Sequence, residues 1–170
     1  MSAVGGKSDM LDLFNEPSII TSAMRRNAAS WPRRFELSDE KEAIHQVVSS
    51  YFDAFARDPA VAASFYGEPT LIVLSSEVLT LATRGDVEAF LTKLLGSLKP
   101  LGYSHTKLDV PHVKMLNSTA ALYSAAAIRM KTDGTELQRA GFTYLLHKGD
   151  AGWKINEVIA TDLDKLISAD

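Results

Sequence analysis

The stretch "FTYLLHKGDAGWKINEVIATD", residues 142–162, carries the strongest fold signal in this chain. Two runs rich in β-branched and aromatic residues flank Lys148–Gly149–Asp150–Ala151–Gly152, the glycine and Asx chemistry that a hairpin turn demands. In the second run Trp153, Ile155, Glu157, Ile159 and Thr161 share one parity, so strict alternation sets a carboxylate in a largely apolar row.

Working outward, "HTKLDVPHVKML" (105–116), "TAALYSAAAIRMK" (119–131) and "ELQRAGFTYLLHK" (136–148) also read as strands, separated by Asn117–Ser118 and Asp133–Gly134. The earlier half is mostly helical in texture. Ile44, Val47, Val48, Tyr51, Phe52 and Phe55 form the stripe of an amphipathic helix, with Ser38 or Asp39 as its N-cap and a stop at Asp58–Pro59. A short helical turn over "PAVAASFY" and a strand in "PTLIVLS" follow. A second stripe, Val87, Phe90, Leu91, Leu94, Leu95 and Leu98, sits behind Gly85–Asp86 and ends near Pro100. Helices first and an antiparallel meander afterwards predict an α+β domain with the helices on one face of the sheet.

Residues 1–38 differ in texture and read as an N-terminal extension. It carries a short helix over about 17–28 and an extended step at Trp31–Pro32, where proline disfavours the α region in the residue before it. Residues 39–170 then form one domain. A chain of 170 residues with 46% hydrophobic and 23% charged content supports a genuine core.

Composition excludes several function classes. A net charge of −3 and a pI near 5.8 offer no general attraction to phosphate backbones, so nucleic acid is not an expected partner. No cysteine is present to form a disulfide, a thiolate nucleophile or a thiolate-held metal. The four histidines, His45, His105, His112 and His147, lack HExxH or HxH spacing, so no metal site is expected. No GxGxxG, GxxxxGK or GxSxG occurs, which leaves nucleotide and serine-hydrolase chemistry without their motifs, and no cofactor is expected. Neither a secretory start nor an apolar run of the ~18 residues needed to span a bilayer occurs, so no membrane association is expected and a cytoplasmic location is the default.

With "VVSSYFDAF" on the first helix, "TRGDVEAFL" entering a later one and "FTYLLHKGDAGWKI" as the closing hairpin, the chain resembles the nuclear-transport-factor-2-like superfamily, in particular its SnoaL-like branch. The resemblance covers about 39–162. It implies a curved antiparallel sheet wrapped around N-terminal helices into a cone, a pocket at the open end, and a homodimer packed through the sheet. It also sets Tyr51 where ketosteroid isomerases hold the tyrosine that donates to the substrate oxygen. The isomerase's base falls near Val73, and its second acid near Gly141 to Thr143. Neither position keeps a carboxyl group, so steroid-isomerase chemistry is not expected.

In the relatives the parity of Ile155, Glu157 and Ile159 faces the cone. Glu157 thereby becomes a carboxylate in an apolar cavity, suited to acid or base work, unless it pairs with Arg129 or Arg139 or lies at the rim in water. Ser124 and Ala126 on an inward face would leave unfilled volume, unless Phe55 or Phe90 fills it from across the cone. The expected ligand-binding residues are Phe55, Val73, Ser124, Ala126, Thr143 and Ile159. Glu157 and Tyr51 are the expected catalytic pair. The same alternation puts Tyr123, Phe142 and Tyr144 on the outer face as a dimer surface.

Two functions follow. One is a small-molecule pocket protein for an apolar or carbonyl-bearing ligand, with cofactor-free isomerase, cyclase or dehydratase chemistry if it is an enzyme. The other is a non-catalytic dimerisation or interaction module whose interior is filled by its own side chains.

Overall fold

Ile44, Val48, Tyr51, Phe52 and Phe55 are all buried, and they lie on one stripe of α1 (Arg34–Phe55). The computed structural model describes residues 34–168; the expected helix over 17–28 and the Trp31–Pro32 step lie outside the described residues. α1 starts a turn before the expected caps, so Ser38 and Asp39 are inside the helix, because Phe35–Glu36–Leu37 contains nothing that breaks one. Asp58 caps α2 (Pro59–Ala63), its Oδ1 accepting from the amides of Ala60 and Val61. A capping box of Thr83 and Asp86 starts α3 (Arg84–Leu98), which buries Val87, Leu91, Leu95 and Leu98.

Six strands form one curved sheet: β1 (Tyr66–Val73), β2 (Val78–Leu81), β3 (Tyr103–Met115), β4 (Ala120–Lys131), β5 (Glu136–Gly149) and β6 (Gly152–Thr161), in the order β2-β1-β6-β5-β4-β3. Hairpins join β3 to β4, β4 to β5 and β5 to β6, as the turn residues require; Gly134 and Gly152 adopt φ of 83° and 88° there. One pairing departs from the expected antiparallel sheet. β1 runs parallel to β6, since α3 and the whole meander separate them and no short turn dictates their sense.

The two faces of the sheet are reversed from expectation over most of β4, β5 and the second half of β6. Tyr123, Phe142 and Tyr144 are buried against α1, with Phe142 5.5 Å from Phe52 and Tyr144 6.3 Å from Tyr51 between ring centroids. Ser124, Ala126 and Thr143, one residue out of phase, therefore lie on the outer face. In β6 a bulge breaks the alternation: Leu146 pairs with Ile155 but Leu145 pairs with Glu157, leaving Asn156 as the extra residue. Trp153 and Ile155 face the helices, whereas Glu157, Ile159 and Thr161 turn outward and Val158 takes their place in the core. A one-residue step in register moves every later side chain to the other face.

Beyond β6 the chain folds back over the outer face. Ser124 Oγ lies 3.1 Å from Thr143 Oγ1, Thr161 Oγ1 donates to Thr143 Oγ1 at 3.0 Å, and the Ile167 amide donates to Ser124 Oγ at 3.2 Å. Gly141 makes room for this: a Cβ there would stand 2.3 Å from the Thr161 carbonyl oxygen. On the other side, Glu40 ties α1 to the β5–β6 hairpin by accepting from Trp153 Nε1 at 2.7 Å and from the Lys148 ammonium. The Lys148 bond and then the Trp153 bond hold the Glu40 carboxyl below its ordinary 4.5.

Two predictions follow from these contacts. Gly141→Ala lowers the unfolding free energy by about 1–3 kcal/mol in urea titrations, because the clash is with backbone that must shift. Glu40→Gln costs about 1 kcal/mol near neutrality, since the clamp is charge-assisted but partly in water. A carboxyl more acidic when folded stabilises above its unfolded pKa and ceases to do so as pH falls through the folded value. Stability curves of wild type and Glu40→Gln therefore converge below pH 4.5 and stay apart above it.

Candidate functional site

The helix-facing side of the sheet gathers three tyrosines. Tyr51 of α1 meets Tyr66 at the start of β1 edge-on, with ring centroids 5.2 Å apart, and Tyr144 of β5 lies 6.3 Å from it. All three rings are buried. Burial pushes the Tyr51 phenol up to about 12, with hydrogen bonding to Tyr66 and Tyr144 acting the other way. Tyr66 and Tyr144 are raised well above the usual phenol value, first by burial and further by Tyr51 itself. Each phenol has one proton to give and an oxygen that can accept from a neighbour. At neutral pH the cluster is a set of uncharged donors in apolar surroundings.

Small residues lie beside this cluster. On the same face Ala125 and Ala160 flank Phe142, and Ala127 pairs with Ala140; Ala140 and Ala160 are exposed although they point to the helix side. The next row, Thr106, Arg129 and Gln138, is polar. Arg129 donates to Gln138 Oε1 at 2.6 Å, and Thr106 Oγ1 lies 2.9 Å from the Tyr103 hydroxyl. Small residues thus stand between the phenols and a polar edge, Ala125 and Ala127 buried and Ala140 and Ala160 exposed.

Of the residues expected from sequence, Tyr51 and Phe55 lie on this side, Phe55 packing 6.0 Å from Tyr103. Val73, Ser124, Ala126, Thr143, Glu157 and Ile159 are on the outer face, away from Tyr51. Ile72, one residue from Val73, is the buried one. Half-buried Glu157 has Leu145 and Leu71 beside it and, among the described residues, no ion-pair partner: Arg129 bonds Gln138, and Arg139 pairs with Asp109 and Glu136. Tyr66, Tyr144 and Arg129 were not expected in the site. Tyr144 shares its parity with Phe142 and Leu146, and weighing aromatic bulk on the two faces identifies that parity as the core. Tyr66 follows a helical segment directly and carries no comparable sequence signal.

Elsewhere, an open cleft of 380 Å³ borders Ser50, Asp53, Arg57 and Val61. Another of 370 Å³ lies between α1 and β3, beside Lys41, Glu42, His45 and His112, with His45 Nδ1 2.9 Å from the Tyr123 hydroxyl. Among the described residues no group of His, Asp or Glu could hold a metal ion, and no helix is long and apolar enough to cross a membrane.

No curated protein matches the chain in sequence. Solved structures share its fold. An NTF2-like protein with a cystatin-like fold from Novosphingobium aromaticivorans is 16% identical, with a TM-score of 0.65 over 94% of each chain. A domain of unknown function with the same fold from Nostoc punctiforme is 22% identical, with a TM-score of 0.61 over 72% of this chain and 76% of that one. A candidate dehydratase of the NTF2-like family from Streptomyces avermitilis is 16% identical, with a TM-score of 0.59 over 74% and 97%. Identities this low speak for the fold alone. Residues 39–162 match the family described as NTF2-like protein (DUF6841), and the chain belongs to that family.

Proposed function

We propose that the chain is a small-molecule pocket protein of the SnoaL-like kind, working in the cytoplasm, and that it binds an apolar ligand with an oxygen acceptor on the helix-facing side of the sheet. The convergence of Tyr51, Tyr66 and Tyr144 carries this reading. Apolar surroundings strengthen a hydrogen bond from a buried phenol to a ligand carbonyl. The role is recognition rather than proton abstraction. Among the described residues no carboxylate contributes to the electrostatics of the three phenols, and a base must come within about 3 Å of the proton it removes.

The test is calorimetric titration with 2-acetonaphthone, a neutral aromatic ketone. Wild type is expected to bind it, and folded Tyr51→Phe to bind about tenfold more weakly, the value of one hydrogen bond to a bound carbonyl. Equal affinity in the two proteins would remove Tyr51 from the site.

A homodimer through the sheet belongs to the same proposal, on a different basis from the expected aromatics, which are in the core. The outer row Leu122, Leu145, Glu157 and Leu71 crosses four strands and is half-exposed, an aliphatic strip suited to a second copy. In sedimentation velocity, wild type should run as a dimer and Leu145→Asp as a monomer; a monomeric wild type at tens of micromolar rejects this part.

A further inference from the structure

Arg129 is the one feature of the helix-facing side that a neutral ligand leaves without a role. It belongs to β4 two residues beyond Ala127 and four beyond Ala125, so its side chain rises from the same face as the buried tyrosines. It is half-buried, and its Nη1 donates to Gln138 Oε1 at 2.6 Å. Among the described residues no carboxylate pairs with it. A guanidinium presents five donors in a flat fork, so one contact to an amide oxygen leaves most of that capacity unused. Its charge nevertheless reaches the site: after burial, which raises Tyr51, Tyr103 and Tyr144, Arg129 acts in the opposite sense on each. Between Arg129 and the phenols on this face stand Ala127, which is buried, and Ala140, which is exposed.

We infer that the ligand is an organic acid, its carboxylate held by Arg129 at the rim while its apolar body lies over the exposed Ala140 toward Phe142 and the tyrosines. This rests on the pocket reading above and adds the ligand's charge and direction of binding. A carboxylate matches the guanidinium fork, replaces the missing counter-charge, and forms charge-assisted bonds about twice as strong as neutral ones. Thr106 and Gln138, on either side of Arg129 in the same row, are placed to hold the fork in plane.

The experiment compares two probes of the same ring size, 2-naphthoate and 2-acetonaphthone, on the full chain at pH 7 and low salt. Naphthoate is expected to bind about tenfold more tightly than the ketone, and to lose that advantage as salt rises. Arg129→Gln should bring the two affinities together, chiefly by weakening naphthoate. Arg129→Lys should keep a reduced preference, since the charge survives and the fork does not. Equal affinities in wild type, or an acid preference that persists in Arg129→Gln, overturns the inference. Failure of Tyr51→Phe to weaken the ketone overturns the pocket reading instead, and the ratio between probes still reports on Arg129. If neither probe binds wild type, both fall.

Discussion

The aromatic layer between α1 and the sheet is the contact from which the other features of this molecule take their positions. Tyr51, Phe52 and Phe55 of the helix meet Tyr66, Tyr103, Phe142 and Tyr144 of the strands at centroid distances of 5.2–6.5 Å, in tilted, edge-on and stacked arrangements. Burying an aromatic or large aliphatic side chain stabilises by about 1.5–3 kcal/mol, so turning Tyr123, Phe142 and Tyr144 outward would forfeit about 5 kcal/mol or more. That is comparable with the whole stability of a typical domain. No rival preference for facing is of that size, and the phase of β4 and β5 follows from it.

The same magnitude explains which expectations succeeded. The helix stripes were readable because each carries six apolar residues at one spacing, and the hairpins because Asp133–Gly134 and Gly149–Gly152 leave few alternatives. Facing in the sheet was harder to read. β4 is buried on both faces over Tyr123–Ala127, so alternation gives no contrast there. In β6 the alternation is genuine up to Ile155 and false after it, because no sequence feature marks Asn156 as the added residue. Glu157 looked like an interior acid for that reason. Its strand neighbours are Leu145 and Leu71 on the outer face, where it is half-buried rather than inside the cone.

Polar chemistry is divided cleanly between the two faces. Outside, Ser124, Thr143 and Thr161 use their hydroxyls on one another and on the Ile167 amide, so these polar atoms serve to seat the C-terminal segment. Inside, the hydroxyls belong to buried tyrosines, and the guanidinium of Arg129 is the charge that acts on Tyr51. An interior of weakly acidic donors and one guanidinium favours electron-rich oxygen and disfavours bound cations. Tyr51, pushed up to about 12 by burial, keeps its proton across the physiological range.

The extra residue at Asn156 has an evolutionary consequence. Because it only takes up slack between Ile155 and Glu157, a single-codon deletion there would restore regular alternation with Glu157 still opposite Leu145 and every later side chain on its present face. A lineage could thus gain or lose the bulge without carrying any side chain across the sheet. Counting alternate positions along the sequence misreads the face in whichever relative carries the extra residue, so assigning positions to a face in this fold requires the strand pairing as well as the residue.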